Sequence, residues 1–85
     1  MIKNNNKLFI TFDIAIAASL VTVGHKVQKI DKRNPKKASF IFISSDELNQ
    51  SIQDYWNDEL NINARSLLDA IRMIKARLYN QDSCN

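Results

Sequence analysis

Eighty-five residues with 45% hydrophobic and 25% charged side chains and a net charge of +3 have the composition of one small packed domain, not of a disordered chain. A core of this size yields little net stability alone, so a partner subunit would help. The one cysteine, Cys84, excludes an intramolecular disulfide and a thiolate metal site and fits a reducing compartment, while the one Gly and one Pro favour long helices over many tight turns.

Residues 1–7 include Asn4, Asn5 and Asn6, lack periodicity and read as a flexible leader to a single domain over 8–80, with 81–85 as a flexible tail. The basic start followed by apolar Leu8 to Val23 imitates a secretory signal, but Asp13 interrupts the run, and Ile14 to Val23 falls short of the ~20 residues that span a bilayer. A buried helix in a cytoplasmic protein without a membrane partner is the better reading. Thr11 is placed to cap it and Asp13 to sit in its first turn, so the helix is expected from Phe12 to about Val23, stopped by Gly24. Between Ile14 and Val23 only Ser19 and Thr22 are polar, which makes this helix apolar on nearly every side and therefore central.

His25 to Asp31 reads as a short strand around Val27 and Ile30, followed by a polar turn of Lys32, Arg33, Asn34, Pro35, Lys36 and Lys37. Ala38 to Ser44 is the second strand of this hairpin. Phe40 and Phe42 point to one face and Ile41 and Ile43 to the other, so both faces should be covered. Ser44 and Glu47 have capping-box spacing, and Leu48, Ile52, Tyr55 and Trp56 form the apolar stripe of a second helix to about Asp58. Trp56 is expected in the core, with a stacking platform as the alternative. Asn63 can cap a third helix with the core stripe Ala64, Leu67, Ile71, Ile74 and Leu78, ending near Asn80. The expected fold is α+β, in the order helix, β-hairpin, helix, helix, completed by oligomerisation because a two-stranded sheet leaves two open edges.

Two basic features stand out. From Lys26 to Lys37 six basic residues face Asp31 alone, a local net of +5, whereas the second helix region is acidic through Asp46, Glu47, Asp54, Asp58 and Glu59. Lys32, Arg33, Lys36 and Lys37 can contact phosphates, or can simply keep an edge strand soluble. On the third helix Arg65, Leu68, Arg72, Lys75 and Tyr79 share one stripe, which suits a nucleotide or polyanion, or else is an ordinary outer face with Arg65 and Asp69 paired. His25 has no Ser or Cys nucleophile and no second His close in sequence, the one Gly excludes a phosphate loop, and Asp58 and Glu59 point to different helical faces. No catalysis, cofactor or metal is therefore expected.

The run Phe12-Asp13-Ile14-Ala15-Ile16-Ala17-Ala18, the Gly-ended helix, Ile30-Asp31 with Asn34-Pro35, Phe40-Ile41-Phe42, Asp54-Tyr55-Trp56-Asn57, Ala64-Arg65 and Arg77-Leu78-Tyr79 resemble a family of short phage, prophage and bacterial proteins catalogued only as a domain of unknown function. The resemblance covers nearly all of the chain after Lys7 and implies a phage or mobile-element setting, with no family site to carry over. Together these features lead to the expectation of a non-enzymatic homo-oligomer that sequesters a small anionic nucleotide, such as a host immune signal, through Arg65, Arg72, Lys75, Arg77, Tyr79 and Trp56. The alternatives are a DNA- or RNA-binding regulator using the basic hairpin 26–37, and an inhibitor that offers Asp46, Asp54 and Asp58 to a basic groove on a host protein.

Overall fold

The computed structural model describes residues 7–34 and 36–83, and side chains as far as Tyr79; residues 1–6 of the expected leader, Pro35 of the turn, and Cys84 and Asn85 of the expected tail lie outside the described residues. The elements are β1 (Leu8–Thr11), α1 (Ile14–Thr22), β2 (Lys29–Asp31), β3 (Ser39–Ile43), α2 (Asp46–Trp56) and α3 (Ala64–Ser83). The class is α+β as expected, but the sheet has a third strand. β1 pairs antiparallel with β3, Leu8 opposite Ile43 and Thr11 opposite Phe40. β2 pairs with the other side of β3, Ile30 opposite Phe40, so the strand order is β1-β3-β2. One hairpin edge expected to need a second chain is thus paired within this one.

The extra strand explains the errors at the first helix. Thr11 belongs to β1 and does not cap α1; its hydroxyl accepts from the Asp13 N–H at 3.1 Å. Asp13 is itself the cap, its carboxylate accepting from the Ala15 N–H at 2.8 Å, and the helix begins two residues later than Phe12. Gly24 ends the helix as expected, with φ +109° and its N–H donating to the Val21 carbonyl at 3.0 Å.

The same strand shifts the cap of α2. The Ser44 N–H extends the β1–β3 ladder by donating to the Lys7 carbonyl at 2.9 Å, which commits that residue to the sheet. Ser45 takes over as cap, its hydroxyl accepting from the Leu48 N–H at 3.0 Å. α2 stops at Trp56, short of the expected Asp58. Asp58 adopts φ +60°, its N–H donating to Tyr55 at 3.2 Å and the Glu59 N–H to Asp54 at 2.8 Å, the two bonds of a Schellman ending with a non-glycine residue in the left-handed position. Asn63 caps α3 as read, accepting from the Ser66 N–H at 3.1 Å, and the helix continues past Asn80 to Ser83.

The helices cover one face of the sheet, with α1 packed against α3 and α2. Phe42, Leu20, Leu48 and Ile74, one from the sheet and one from each helix, are the largest fully buried side chains. Ile16 to Leu20 are all buried, which confirms α1 as the central helix. Ala64 drops out of the α3 stripe because it is the first helical residue and lies exposed, and Ala70 is buried in its place beside Ile74. Trp56 is not in the core: it is 65% exposed, one step off the seam drawn by Leu48, Ile52 and Tyr55 at the last residue of the helix. Its ring meets Tyr55 edge-on at 5.2 Å. Among the described residues β3 is not covered on both faces, since Phe40 and Phe42 are buried while Ile43 is exposed. Among the described residues no helix is long and apolar enough to cross a membrane.

Candidate nucleotide-binding groove

The loop between β2 and β3 meets the C-terminal half of α3. The Lys32 ammonium donates to the Leu78 carbonyl, and the Arg77 guanidinium reaches the Val27 carbonyl at 3.4 Å. These two cations hold α3 along the β2 side of the sheet, and between helix and loop lies a groove of about 210 Å3 lined by Lys32, Asn34, Lys36, Lys37, Leu78 and Tyr79. The turn cations and the aromatic of the helical stripe, read in the sequence as rival sites, therefore share one depression.

Asn34 shapes the loop. Its side-chain oxygen accepts from the Lys36 N–H at 3.0 Å and its carbonyl from the Lys37 N–H at 3.1 Å, an Asx-type turn. The Lys36 side chain is exposed, and the Lys37 ammonium sits 5.0 Å from the centre of the Phe12 ring. Tyr79 presents an exposed ring on the helical wall. Arg33 is differently placed: its Nε donates at 3.1 Å to both oxygens of Asp31, a terminal nitrogen donates at 2.7 Å, and its backbone N–H adds a bond at 3.0 Å. The hydrogen bonds from Arg33 hold the Asp31 carboxyl down to about 2, so this cation reaches the surface already neutralised.

The α3 stripe is exposed throughout. Arg65, Leu68, Arg72 and Lys75 lead to Tyr79 over a length of about 20 Å, at 1.5 Å per residue. Asp69 pairs with Arg72 at 3.0 Å, not with Arg65 as expected of an outer-face pair. Arg77 is not on this stripe; half-buried, it lies on the other flank of the core seam, bonded to Val27. Trp56 is also apart from the groove, at the end of α2. Of the three acidic residues of the decoy reading, Asp46 lies in the first turn of α2, Asp54 accepts from the Gln50 amide at 2.9 Å, and Asp58 terminates the helix.

His25 gains a neighbour that the sequence did not show. Its Nε2 lies 3.2 Å from the Ser51 hydroxyl on α2, 26 positions away, and the pair ties the loop after α1 to the second helix. Among the described residues no carboxylate is hydrogen-bonded to this His, and no group of three His, Cys, Asp or Glu side chains converges to hold a metal.

The sequence profile of the domain of unknown function DUF5659 matches residues 6–80. The chain belongs to this family. The match takes in every element from β1 to the Tyr79 turn of α3, and with them the whole groove. No curated protein and no solved structure matches the chain.

Proposed function

We propose that the domain binds a single-stranded nucleic acid without catalysing a reaction on it, using the groove for one nucleotide and the α3 stripe for the backbone that follows. The observation that carries this reading is that Lys36, Lys37 and the Tyr79 ring line one groove at the end of a stripe formed by Lys75, Arg72 and Arg65, of which Arg72 is paired with Asp69 and Lys75 and Arg65 have no carboxylate partner among the described residues. A cationic track supplies sequence-independent phosphate contacts, and an exposed aromatic offers a stacking surface to any base. A line of about 20 Å is longer than one nucleotide and suits an extended polyanion. The groove itself, at about 210 Å3, falls below the ~300 Å3 from which enclosed small-molecule sites begin.

That same volume favours a second reading, a small anionic nucleotide enclosed only when two copies bring their grooves together. Fluorescence anisotropy with a labelled oligothymidine, run beside calorimetry with mononucleotides and cyclic dinucleotides, separates the two. The expected result is salt-sensitive, micromolar binding of the single strand that weakens in Lys36→Ala, Lys37→Ala and Tyr79→Ala. Tight binding of a nucleotide in preference to the strand would establish the second reading, and no binding of either at low salt would refute both.

A further inference from the structure

The face of the sheet turned away from the helices is apolar over β1 and the Ile41–Ile43 end of β3, and no helix lies on it among the described residues; at its Phe12 end the Lys37 ammonium sits 5.0 Å from the ring centre. Register places Leu8 beside Ile43 and Ile10 beside Ile41 on it, with Lys29 on the far side of Ile41. Leu8, Ile10, Phe12 and Ile43 are each 48–56% exposed, and Ile41 between them is half-buried. The alternate positions, Phe9, Ile30, Phe40 and Phe42, already fill the core or pack against it. A sheet with one wet face alternates apolar with polar; β2 does so through Lys29 and Asp31, but Leu8 and Ile10 of β1 and Ile41 and Ile43 of β3 put apolar side chains on the outer face.

We propose that this face packs against the same face of a second copy, giving a two-fold homodimer with the layers helices, sheet, sheet, helices. Area is the first argument. The five side chains expose roughly 400 Å2, comparable to the largest apolar patch of an ordinary monomer, which is often functional. As the roughly 65% apolar part of an interface, that patch corresponds to about 600 Å2 per partner, or about 1,200 Å2 in all, where stable interfaces begin. Shape is the second: flat rows of aliphatic side chains interdigitate with like rows when two sheets stack about 10 Å apart. Charge is the third, because the centre carries none; Lys29 and Asp31 stand on β2, Asp31 is already held by Arg33 at 2.7 Å, and the Lys37 ammonium lies at the Phe12 end, 5.0 Å from that ring.

Charge also selects the orientation. An axis running across the strands would lay β2 over the partner's β2 and bring the two Lys29 side chains together. An axis running along the strands lays β2 over the partner's β1, where the Lys29 stem covers Ile10 and its ammonium reaches the rim. The second arrangement avoids like-charge contact and keeps the strand direction, so both β2–β3 loops lie at one end of the dimer. Two grooves, each with Lys36, Lys37 and Tyr79, then share that end.

Light scattering on the full chain at about 100 µM is expected to give the mass of two subunits, a weak dimer in keeping with the small interface. Ile10→Lys and Ile43→Lys, at exposed positions and with unchanged circular dichroism, should reduce it to one. In a Cys84→Ser background, Lys29→Cys chains mixed with Ile10→Cys chains should be joined by a short bifunctional maleimide, while Lys29→Cys chains alone should not. A monomer at that concentration, or a dimer that persists in Ile10→Lys and Ile43→Lys, overturns the interface. Linking of Lys29→Cys to itself overturns the orientation. No nucleic acid is present in these measurements, so their failure is distinct from failure of the binding reading.

Discussion

The salt dependence of single-strand binding tests which cations a ligand meets. A sequence count offers four on the turn, Lys32, Arg33, Lys36 and Lys37. The structure commits Lys32 to the Leu78 carbonyl and Arg33 to Asp31; Lys36 and Lys37 line the groove without a carboxylate partner among the described residues, Lys37 with its ammonium 5.0 Å from the Phe12 ring. Each phosphate neutralised on a single strand contributes about 0.7 to the slope of log K against log salt. Lys36→Ala with Lys37→Ala should therefore lower that slope by about 1.4, where four equivalent cations would imply about 2.8 for the complete set. Asp31→Asn removes the carboxylate that holds the guanidinium at 2.7 Å, releases a cation beside the groove, and should steepen the slope by about 0.7. Anisotropy titrations of a labelled strand over a salt series measure each value. If Asp31→Asn left the slope unchanged while Arg33→Ala lowered it as much as Lys36→Ala does, Arg33 would be contacting phosphate despite its partner, and the groove would lie on the wrong side of the loop.

Other outcomes follow from single positions. Tyr79→Ala should cost about 1–3 kcal/mol of strand affinity through lost stacking and leave the urea midpoint unchanged, because the ring is exposed. Gly24→Ala meets nothing within 4 Å but must hold φ +109°, so chemical denaturation should show a loss of about 1–2 kcal/mol from backbone strain alone. Asp58→Gly relieves φ +60° and removes a negative charge from the end of α2, and should raise stability by roughly 0.5–1 kcal/mol in the same assay. Asp31 titrates at about 2 when folded, below its unfolded value near 4. Its contribution is therefore complete above that unfolded value and is lost as pH falls through about 2. Urea midpoints of the native chain and of Asp31→Asn should converge over that interval.

The fold was legible wherever a local signal had one interpretation. Gly24 as a helix stop, Asn63 as a cap and the two-faced Phe40 to Ile43 strand needed no partner to be recognised. β1 was hidden by its neighbour. Leu8 to Thr11 has strand alternation, but it runs within two residues into an apolar helix, and together they read as one long apolar segment. Pairing with β3 makes the strand, and that is a tertiary fact. From this one omission follow the misplaced caps at Thr11 and Ser44, since each residue serves a ladder that the sequence reading did not contain. Trp56 failed for a different reason: at the end of a helix, one position off the seam is enough to leave the packed layer.

The site was legible as composition and not as geometry. Lys32 and Leu78 are 46 positions apart, and Arg77 and Val27 are 50, so nothing local marks the contacts that form the groove. Both contacts also use cations that the sequence assigned to a ligand. The six cations between Lys26 and Lys37 therefore overstate what an anion meets, because Arg33 is paired with Asp31 and Lys32 is held at a helix carbonyl. The charges facing outward from the groove are fewer but better placed, close to an aromatic ring and in line with Lys75 and Arg72. In the dimer the sheet faces would double that set at one end without adding a contact to either groove, and a strand long enough to reach both would gain by effective concentration what each site lacks in enclosure.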